Sequence, residues 1–390
     1  MNSTFWTTMH AQRSHTFRVF ISILFACYFF TPQTYAGKLS DYLSVDAYYD
    51  QHPEQRPLRE ALSDAVANAP ALIRTATDSI VTTADASGTT SERRPRIAVL
   101  YPGIQLSDYW QRSIVALESR LKQLQIHYEL QVRFTRPGTQ LLQQETELQA
   151  LLAWQPDYLI YTVDSAAQQS IVERLIHRGS PKVILQNITT PIQVWGEKQP
   201  FLYTGFDHME GARLLAHYFR KHFPRGSEYG VLFWSHGTVS DMRGMAFIQS
   251  IGNYHTLKGS YYTQADQESA YRATLDMLSK PNNIRYIYVC ATDLAVGAAK
   301  ALKELDREDI SLNGWGGGLT ELNMLRQGNL DVVLMRMNDD SSIAIAEAIK
   351  RDLENSPVPL IYTGKFTILD SRTTENDIST LLNQAFRYSR

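Results

Sequence analysis

Short apolar runs alternate with stretches of helical periodicity along most of this 390-residue chain. Runs of four to eight apolar residues bounded by turn residues favour buried strands. They predict strands at 97–101, 128–135, 158–163, 182–185, 201–204, 229–233, 258–263, 285–290, 309–313 and 330–336. Apolar side chains at three- and four-residue spacing predict helices at 108–124, 141–153, 166–178, 209–222, 240–251, 267–278, 293–305, 319–327 and 339–354.

This alternation decides the fold class. Strands that alternate with helices form βαβ units, whose strands join parallel sheets. The length of the chain exceeds what a single hydrophobic core usually supports. We therefore predict an α/β protein with two doubly wound parallel-sheet lobes.

The first 36 residues have the character of a secretory signal. Residues 1–18 are polar, with Arg13 and Arg18 and no acid, and an apolar run follows from Val19 to Phe30. Small residues before and at Ala36 suit cleavage after that position. A membrane-spanning helix needs about 20 apolar residues, so this run is too short. An uncleaved anchor and a lipid-modified Cys27 are the alternatives, and the sequence leaves the second open.

Composition narrows the classes of partner. The formal net charge is −2, and loss of residues 1–36 removes two arginines, giving −2 − 2 = −4. This balance offers nothing to nucleic acid or to an anionic membrane surface. Cys290 would remain alone, which excludes an intrachain disulfide. No catalytic triad, carboxylate pair or metal-ligand spacing stands out, so the sequence predicts neither catalysis nor a cofactor.

The region before the first predicted strand is an N-terminal extension and linker, at 37–95. Pro53 and Pro57 interrupt it, and Leu58 to Leu72 has helical spacing. Residues 77–95 are rich in Ser, Thr and Gly, which is typical of a flexible linker.

Candidate ligand contacts follow from the sheet rule. Ligands of doubly wound proteins bind beyond the carboxyl ends of the strands. The polar and aromatic residues at or after those ends are Gln105, Ser107, Trp110, Thr162, Asn187, Arg243, Asp293, Trp315 and Arg336.

This set of side chains suits a polyhydroxylated ring that carries negative charge. Indole faces stack on the C–H faces of such rings, and amides and hydroxyls bind the ring hydroxyls. Two arginines against one acid leave room for anionic oxygens on the ligand. Each residue also has a structural alternative: Ser107 and Asp293 as helix caps, the tryptophans as core, and the arginines as solvated surface.

Several longer motifs carry a resemblance to a known family. They are Tyr101–Trp110, Leu185–Pro191, Gly205–Gly211, Ser240–Gly244, Asn313–Gly318 and Met335–Asp340. In order along the chain, from about Tyr42 to about Leu369, they resemble the LuxP-type autoinducer-2-binding periplasmic receptors of quorum sensing. That family is similar to type I periplasmic sugar-binding proteins, of which the ribose binder is a well-known example. Ile104, where a Gln is expected, and the long 77–95 linker depart from the family.

The resemblance implies a specific function. The ligand would be autoinducer-2 as a furanosyl borate diester, with Arg243 and Arg336 flanking the borate and the other seven candidates completing the contacts. The partner would be the periplasmic domain of a LuxQ-type membrane sensor kinase and phosphatase. The lobes would take 96–203 with 338–364 and 204–337 with 365–390. They would close on the ligand about a three-crossing hinge near 204, 337 and 364.

Two other functions remain open at this stage. A periplasmic pentose-binding protein of an ABC importer would have the same fold, although a neutral sugar offers no partner for two arginines. An exported enzyme that acts on sugars is the second of these, and no sequence feature supports it. A LacI-type repressor is excluded by the signal sequence and by the absence of a helix-turn-helix head.

Overall fold

The computed structural model describes residues 41–71, 94–137 and 141–390. The predicted signal peptide at 1–36 and nearly all of the 77–95 linker lie outside the described residues. Among the described residues, no helix combines the length and apolar character that crossing a membrane requires.

The first of two six-stranded sheets is parallel throughout. Its strand order is β11-β5-β4-β3-β1-β2. The strands are β1 (Arg96–Tyr101), β2 (Glu129–Phe134), β3 (Tyr158–Tyr161), β4 (Lys182–Gln186), β5 (Leu202–Gly205) and β11 (Ile361–Thr363).

The second sheet repeats this order, β12-β10-β9-β8-β6-β7. Its strands are β6 (Glu228–Phe233), β7 (Thr256–Tyr262), β8 (Ile284–Val289), β9 (Ser311–Gly316), β10 (Val332–Arg336) and β12 (Phe366–Asp370). β12 pairs antiparallel with β10, and the other pairs are parallel. The chain leaves β11 and enters β12 at Phe366, opposite the last residue of β10, so β12 has to run backwards.

Helices connect the strands and cover the sheets. They are α1 (Val45–Gln51), α2 (Arg56–Ala67), α3 (Tyr109–Gln123), α4 (Leu141–Ala153), α5 (Ala166–Arg178), α6 (His208–His222), α7 (Thr238–Ile251), α8 (Gln267–Ser279), α9 (Thr292–Glu304), α10 (Leu319–Arg326), α11 (Asp340–Leu353) and α12 (Glu375–Ala385).

The predicted α/β fold class is confirmed, with the antiparallel β12 as its one departure from parallel sheets. Every strand and helix predicted between residues 96 and 354 lies within three residues of its expected bounds. β11, β12, α1 and α12 were not predicted. β11 has three residues, too few for a periodic signal. The helix expected at 58–72 ends at Ala67, because Pro70 disfavours helical geometry in the residue before it.

Burial on both faces explains the continuous apolar character of the strands. Along β1, Ile97, Val99 and Tyr101 enter one core cluster, while Ala98 and Leu100 enter the cluster on the opposite face. Successive residues of a strand point to opposite faces, so a sheet covered by helices on both sides needs apolar residues throughout.

The described part of the N-terminal extension packs on the first sheet. Tyr49 is buried in one core cluster, and its hydroxyl donates to the main-chain oxygen of Ile361 in β11 (2.9 Å). Leu62 and Val66 of α2 join the cluster on the other face. The predicted domain boundaries stay predictions, although β11 and β12 do lie in different sheets as the crossing near 364 requires.

Candidate functional site

The carboxyl ends of strands from both sheets meet at one cleft. In each sheet the strand order changes direction beside the first strand: β1 lies between β2 and β3, and β6 between β7 and β8. Ligands of doubly wound proteins bind at such switch points. The loop after β1 contacts the first turn of α9 here: the N–H of Leu106 donates to Oδ1 of Asp293 (3.3 Å).

Two adjoining cavities, each partly open to solvent, occupy this cleft. The arginine cavity encloses about 390 Å³ of empty space and is lined by Gln105, Ser107, Tyr109, Trp110, Asn187, Trp234, Val239, Arg243, Ala291, Thr292, Trp315 and Arg336. The Asp164 cavity, of about 650 Å³, is lined by Pro102, Trp110, Arg136, Pro137, Gln144, Thr162, Asp164, Ser165, Gln168, Asn187, Trp234, His236 and Val239.

The structure brings the predicted site residues together. Seven of the nine, namely Gln105, Ser107, Trp110, Asn187, Arg243, Trp315 and Arg336, line the arginine cavity, and Thr162 lines the Asp164 cavity. Asp293 lines neither cavity, because its carboxylate turns toward the backbone of Leu106 at the seam between the sheets. Whether each residue contacts a ligand stays a prediction.

Arg243 is buried on α7, and no carboxylate of the described residues forms a salt bridge or hydrogen bond with it. Its Nε donates to Nδ1 of His208 (3.2 Å), and a terminal N–H donates to the main-chain oxygen of Cys290 (2.7 Å). The guanidinium carbon lies 4.4 Å from the centre of the Trp315 ring. Burial and then repulsion by Arg336 lower the pKa of Arg243 to about 10, so it is still a cation at neutral pH.

His208 holds Arg243 in place as a neutral ring. Its Nε2 lies 2.8 Å from the main-chain oxygen of Asn187 and donates to it, which leaves Nδ1 as the acceptor for Arg243. Burial, followed by the charge of Arg243, lowers the pKa of His208 well below its usual range. Protonation at Nδ1 would place two donors face to face.

Arg336 ends β10 and is equally buried. Its guanidinium carbon lies 4.2 Å from the centre of the Tyr109 ring and 5.7 Å from that of Phe206. In the described part of the chain no hydrogen bond or salt bridge engages the guanidinium, and its Nε is buried without a partner. Glu321 and Asp108 act on Arg336, and Asp164 on Arg243, only at longer range. Two buried cations that no carboxylate of the described residues contacts favour an anionic ligand with several oxygens.

The polar residues of the first sheet add hydrogen-bonding groups to the cavity wall. Asn187 follows β4 in the left-handed conformation (φ 70°), which Asn adopts more readily than most residues. Its side chain is buried, and its Oδ1 has no partner among the described atoms. Gln105 donates to the main-chain oxygen of Pro102 (2.7 Å), and Ser107 Oγ accepts weakly from Tyr109 N–H (3.4 Å).

The indoles of Trp110 and Trp315 face the cavity and are also core residues. Trp110 packs 4.5 Å from the ring of Tyr101. The Nε1–H of Trp315 donates to the hydroxyl of Tyr288 (2.9 Å). Their structural and ligand-binding roles are therefore compatible, because only part of each ring is taken up by packing.

Glu321 accounts for the glycine-rich segment at the end of β9. Its buried carboxylate accepts from the N–H groups of Trp315 (2.7 Å) and Gly317 (2.7 Å). A phosphate cradle would need such N–H groups free, so Glu321 occupies the place that a bound phosphate would take. Burial raises the pKa of Glu321.

The buried polar atoms that lack hydrogen-bond partners indicate which kind of ligand the cleft would bind. Arg336 Nε and Trp234 Nε1 are unmatched buried donors, and Asn187 Oδ1 and Asp293 Oδ2 are unmatched buried acceptors within the described part of the chain. Burial raises the pKa of Asp293 to about 6. A ligand that both donates and accepts hydrogen bonds, as a hydroxylated ring does, would satisfy these groups.

Sequence reasoning missed Trp234, Tyr109, His208, Asp164 and Glu321. Trp234 directly follows β6, so the strand-end rule that chose the other residues selects it equally well. His208 and Glu321 act by positioning neighbouring residues, and no residue pattern in the sequence predicts such a role. Among the described residues, no cluster of His, Cys, Asp and Glu has the makings of a metal site.

Solved structures similar to this chain include solute-binding proteins with bound sugars. A solute-binding protein from Actinobacillus succinogenes with bound D-allose is 17% identical with a TM-score of 0.63, covering 73% of this chain and 99% of that one. One from Agrobacterium radiobacter with D-arabinose is 13% identical with a TM-score of 0.64, covering 75% and 100%. A chain of the XylFII–LytSN complex is 14% identical with a TM-score of 0.61, covering 71% and 98%.

At these identities the likeness establishes the fold, and a family model adds membership. The model described as periplasmic binding protein domain matches residues 97–358, well over half of the chain. The matched range holds both sheets up to β10 and all nine predicted site residues. The chain therefore belongs to the periplasmic binding protein domain family, a family of solute-binding proteins.

Proposed function

We propose that this chain is a periplasmic receptor for autoinducer-2 in its furanosyl borate diester form. In this proposal the chain performs no catalysis. It would pass the quorum-sensing signal to the periplasmic domain of a LuxQ-type membrane sensor kinase, using closure of its two lobes.

The observation that carries the proposal is the pair of buried arginines. Arg243 and Arg336 both line the arginine cavity, and neither has a carboxylate partner in the described part of the chain. A tetrahedral borate diester is an anion with several oxygens on a small centre, which suits two guanidinium groups. The furanosyl ring would supply hydroxyls for Asn187 and Asp293.

The alternative is a pentose-binding protein of an ABC importer. Structural neighbours with bound D-allose and D-arabinose support it, because those sugars are bound on the same fold. A neutral sugar would leave both buried guanidinium groups without an anion in contact, with only the longer-range charges of Glu321, Asp108 and Asp164 to offset theirs. This electrostatic cost favours the borate ester.

The proposed location and partner draw on different observations. Proteins of the family are typically periplasmic or extracellular, and the predicted signal peptide at 1–36 agrees with export. The XylFII–LytSN complex supports the idea that this fold works together with a second protein. Co-purification of the exported chain with the sensor's periplasmic domain tests the partner.

Borate dependence tests the ligand. Tryptophan fluorescence titration with autoinducer-2 should give tighter binding when boron is supplied than when it is removed. Arg243→Met and Arg336→Met keep bulk but remove one charged donor each, and a hydrogen bond to a charged group is worth about 1.5–3 kcal/mol. Affinity for the borate ester should fall about ten- to a hundredfold, since 1.4 kcal/mol is about a factor of ten.

Asn187→Ala is the matched control. It should weaken binding through the ring while keeping most of the gain that borate confers on the wild type. Mass spectrometry of ligand released from purified protein should show boron. If wild-type affinity ignores borate and ribose-like sugars bind equally well, the importer alternative replaces this proposal.

A further inference from the structure

The helix that carries Arg243 begins without a capping side chain of its own. The residue before α7 is Gly237, which has none to offer. The first N–H groups of a helix need acceptors from elsewhere. Here the N–H of Val239 donates to Oδ1 of Asp164 (2.9 Å), and the N–H of Thr238 donates to the main-chain oxygen of Asp164 (3.2 Å).

The capping residue belongs to the opposite sheet. Asp164 follows β3 of the first sheet, whereas α7 follows β6 of the second. The contact is close: a Cβ added to Gly237 would lie 2.4 Å from Oδ2 of Asp164. Glycine therefore lets the carboxylate approach the helix start, and the contact can form only when the two lobes are together.

The N-terminal extension also contacts the start of α7. The hydroxyl of Tyr42 lies 3.0 Å from Oγ1 of Thr238 and accepts from Nε2 of Gln169 (2.7 Å). Tyr42 is buried at this junction. It lies outside residues 97–358, which the family model matches, so this contact comes from a part of the chain that the family model does not include.

We propose that Asp164 and Tyr42 form a closure latch, which fastens the start of α7 to the first lobe and so positions Arg243 over the bound ligand. Arg243 lies less than two turns beyond Thr238 on α7, so fixing the helix start fixes its guanidinium. Asp164 is a positioning residue that acts through α7. The latch deepens the proposed receptor function but needs only a ligand on which the cleft closes.

The latch should respond to pH. Burial against α7 raises the pKa of Asp164 to about 7, and the nearby charge of Asp241 adds to this, whereas the bond from Val239 and the charge of Arg243 oppose it. In an open cleft the carboxyl would return to water and to its ordinary pKa near 4. The closed form thus holds the proton more tightly, so closure is most favourable at acid pH, weakens as pH rises from about 4 to about 7, and changes little above that.

The effects of other charged or polar groups near Asp164 have to be separated from its own. Arg136 and His236 line the same cavity, and Asp293, with a pKa raised to about 6, makes a second contact between the lobes. Asp164→Asn isolates the effect. It keeps an oxygen that can cap Val239 but does not titrate, so it should match the slow release of the wild type at acid pH.

The test is the rate of ligand release, measured by stopped-flow tryptophan fluorescence with autoinducer-2 and excess borate. Asp164→Ala should raise the release rate about tenfold or more at pH 6 while the association rate changes little. Tyr42→Phe should raise it several-fold. Asp164→Asn should keep slow release and lose most of the acceleration that the wild type shows between pH 6 and 8.

Asp266→Ala is the matched control, because Asp266 caps α8 by accepting from Ser269 N–H (2.7 Å) within its own lobe. It removes a helix cap at a residue that lines neither cavity and makes no hydrogen bond to a described residue across the cleft, so release should stay close to the wild-type rate. The latch is refuted if Asp164→Ala and Asp266→Ala release ligand equally fast.

Hydrogen exchange in protein saturated with autoinducer-2 and borate, or with D-ribose if autoinducer-2 does not bind, tests the latch in the closed form, where the contact exists. The amide of Val239 should exchange faster in Asp164→Ala than in Asp266→Ala. If the wild type fails to bind autoinducer-2 but this difference appears, the receptor proposal fails and the latch stands. If the amide of Val239 exchanges at the same rate in both variants, the latch is overturned whatever the ligand is.

Discussion

At the scale of single residues, the cleft is built from polar atoms that are held rigidly yet left unmatched. Trp234 illustrates this. Its main-chain N–H donates to Ser240 Oγ (2.9 Å), and its main-chain oxygen accepts from Ala265 N–H (2.9 Å), so the backbone is fixed on both sides. The indole N–H nevertheless has no acceptor in the described part of the chain. A buried unmatched donor costs about 1–3 kcal/mol, which a ligand oxygen could recover.

Replacing Trp234 with Phe should separate binding from stability. Phe keeps an aromatic ring but removes part of the indole bulk together with the unmatched donor. The lost packing lowers stability and the removal of the unmatched donor raises it, so the thermal midpoint should change little. Ligand affinity should fall about five- to tenfold, as expected for the loss of a net hydrogen bond of about 1 kcal/mol. Calorimetric titration beside a thermal melt measures both. Equal affinity of the variant and the wild type would mean that the Trp234 indole lines the cavity without donating a hydrogen bond to the ligand.

Much of the site was predictable from sequence because strand ends in parallel sheets converge by geometry. That rule placed Arg243 and Arg336, far apart in the chain, in one cavity. It could not reveal that both are buried without a carboxylate, because burial depends on the packing of two lobes. Nor could it identify Asp164 as the cap of α7, since no residue spacing links a strand end to a helix start 74 residues later (238 − 164 = 74).

At the scale of elements, the second sheet depends on a close approach of α6. A Cβ added to Gly211 of α6 would lie 2.5 Å from Cη2 of Trp315 and 2.8 Å from Cδ2 of Leu334. The helix therefore packs on β9 and β10 through a glycine, and this contact supports an indole of the ligand cavity. The sequence predicted α6 and both strands, but periodicity carries no information about how closely they approach.

Gly211→Val should therefore affect both stability and binding. Overpacking a close contact costs about 1–3 kcal/mol, so the thermal midpoint should fall by several degrees. Displacement of Trp315 should also weaken ligand binding. Gly259→Ala on edge strand β7 is the control, because its Cβ would lie 3.3 Å from movable atoms of Met277 and Tyr261. A melt of Gly211→Val that matches this control would contradict the close-approach argument.

At the scale of the whole molecule, contacts between the lobes come from scattered parts of the chain. These contacts are hydrogen bonds that pair Tyr42 with Thr238, Asp164 with Val239, and Leu106 with Asp293. Every one of these pairs joins an element of the first sheet or its extension to an element of the second. The pattern of apolar runs predicted two sheets but not these contacts, because each is a single hydrogen bond between segments distant in sequence.

Closure of the cleft is the expected signal, and it should be visible in solution. A ligand that binds residues of both lobes can contact them all only when the lobes are together, so it shifts the population toward the closed form. A compact chain of about 350 residues has a radius of gyration of about 20 Å. Small-angle scattering should show a smaller value with autoinducer-2 and borate than without them.

An Arg243→Met/Arg336→Met double variant provides the comparison for that measurement. At a ligand concentration that saturates the wild type, it should keep the larger radius, because the second lobe no longer binds the anion tightly enough for the ligand to hold the two lobes together. A wild-type profile that ignores ligand, while fluorescence still reports binding, would place the signal in a local change instead. Arg243 is on α7 and Arg336 ends β10, so that change would lie within the lobe built on the second sheet. The latch would then have no closed form of the cleft to stabilise.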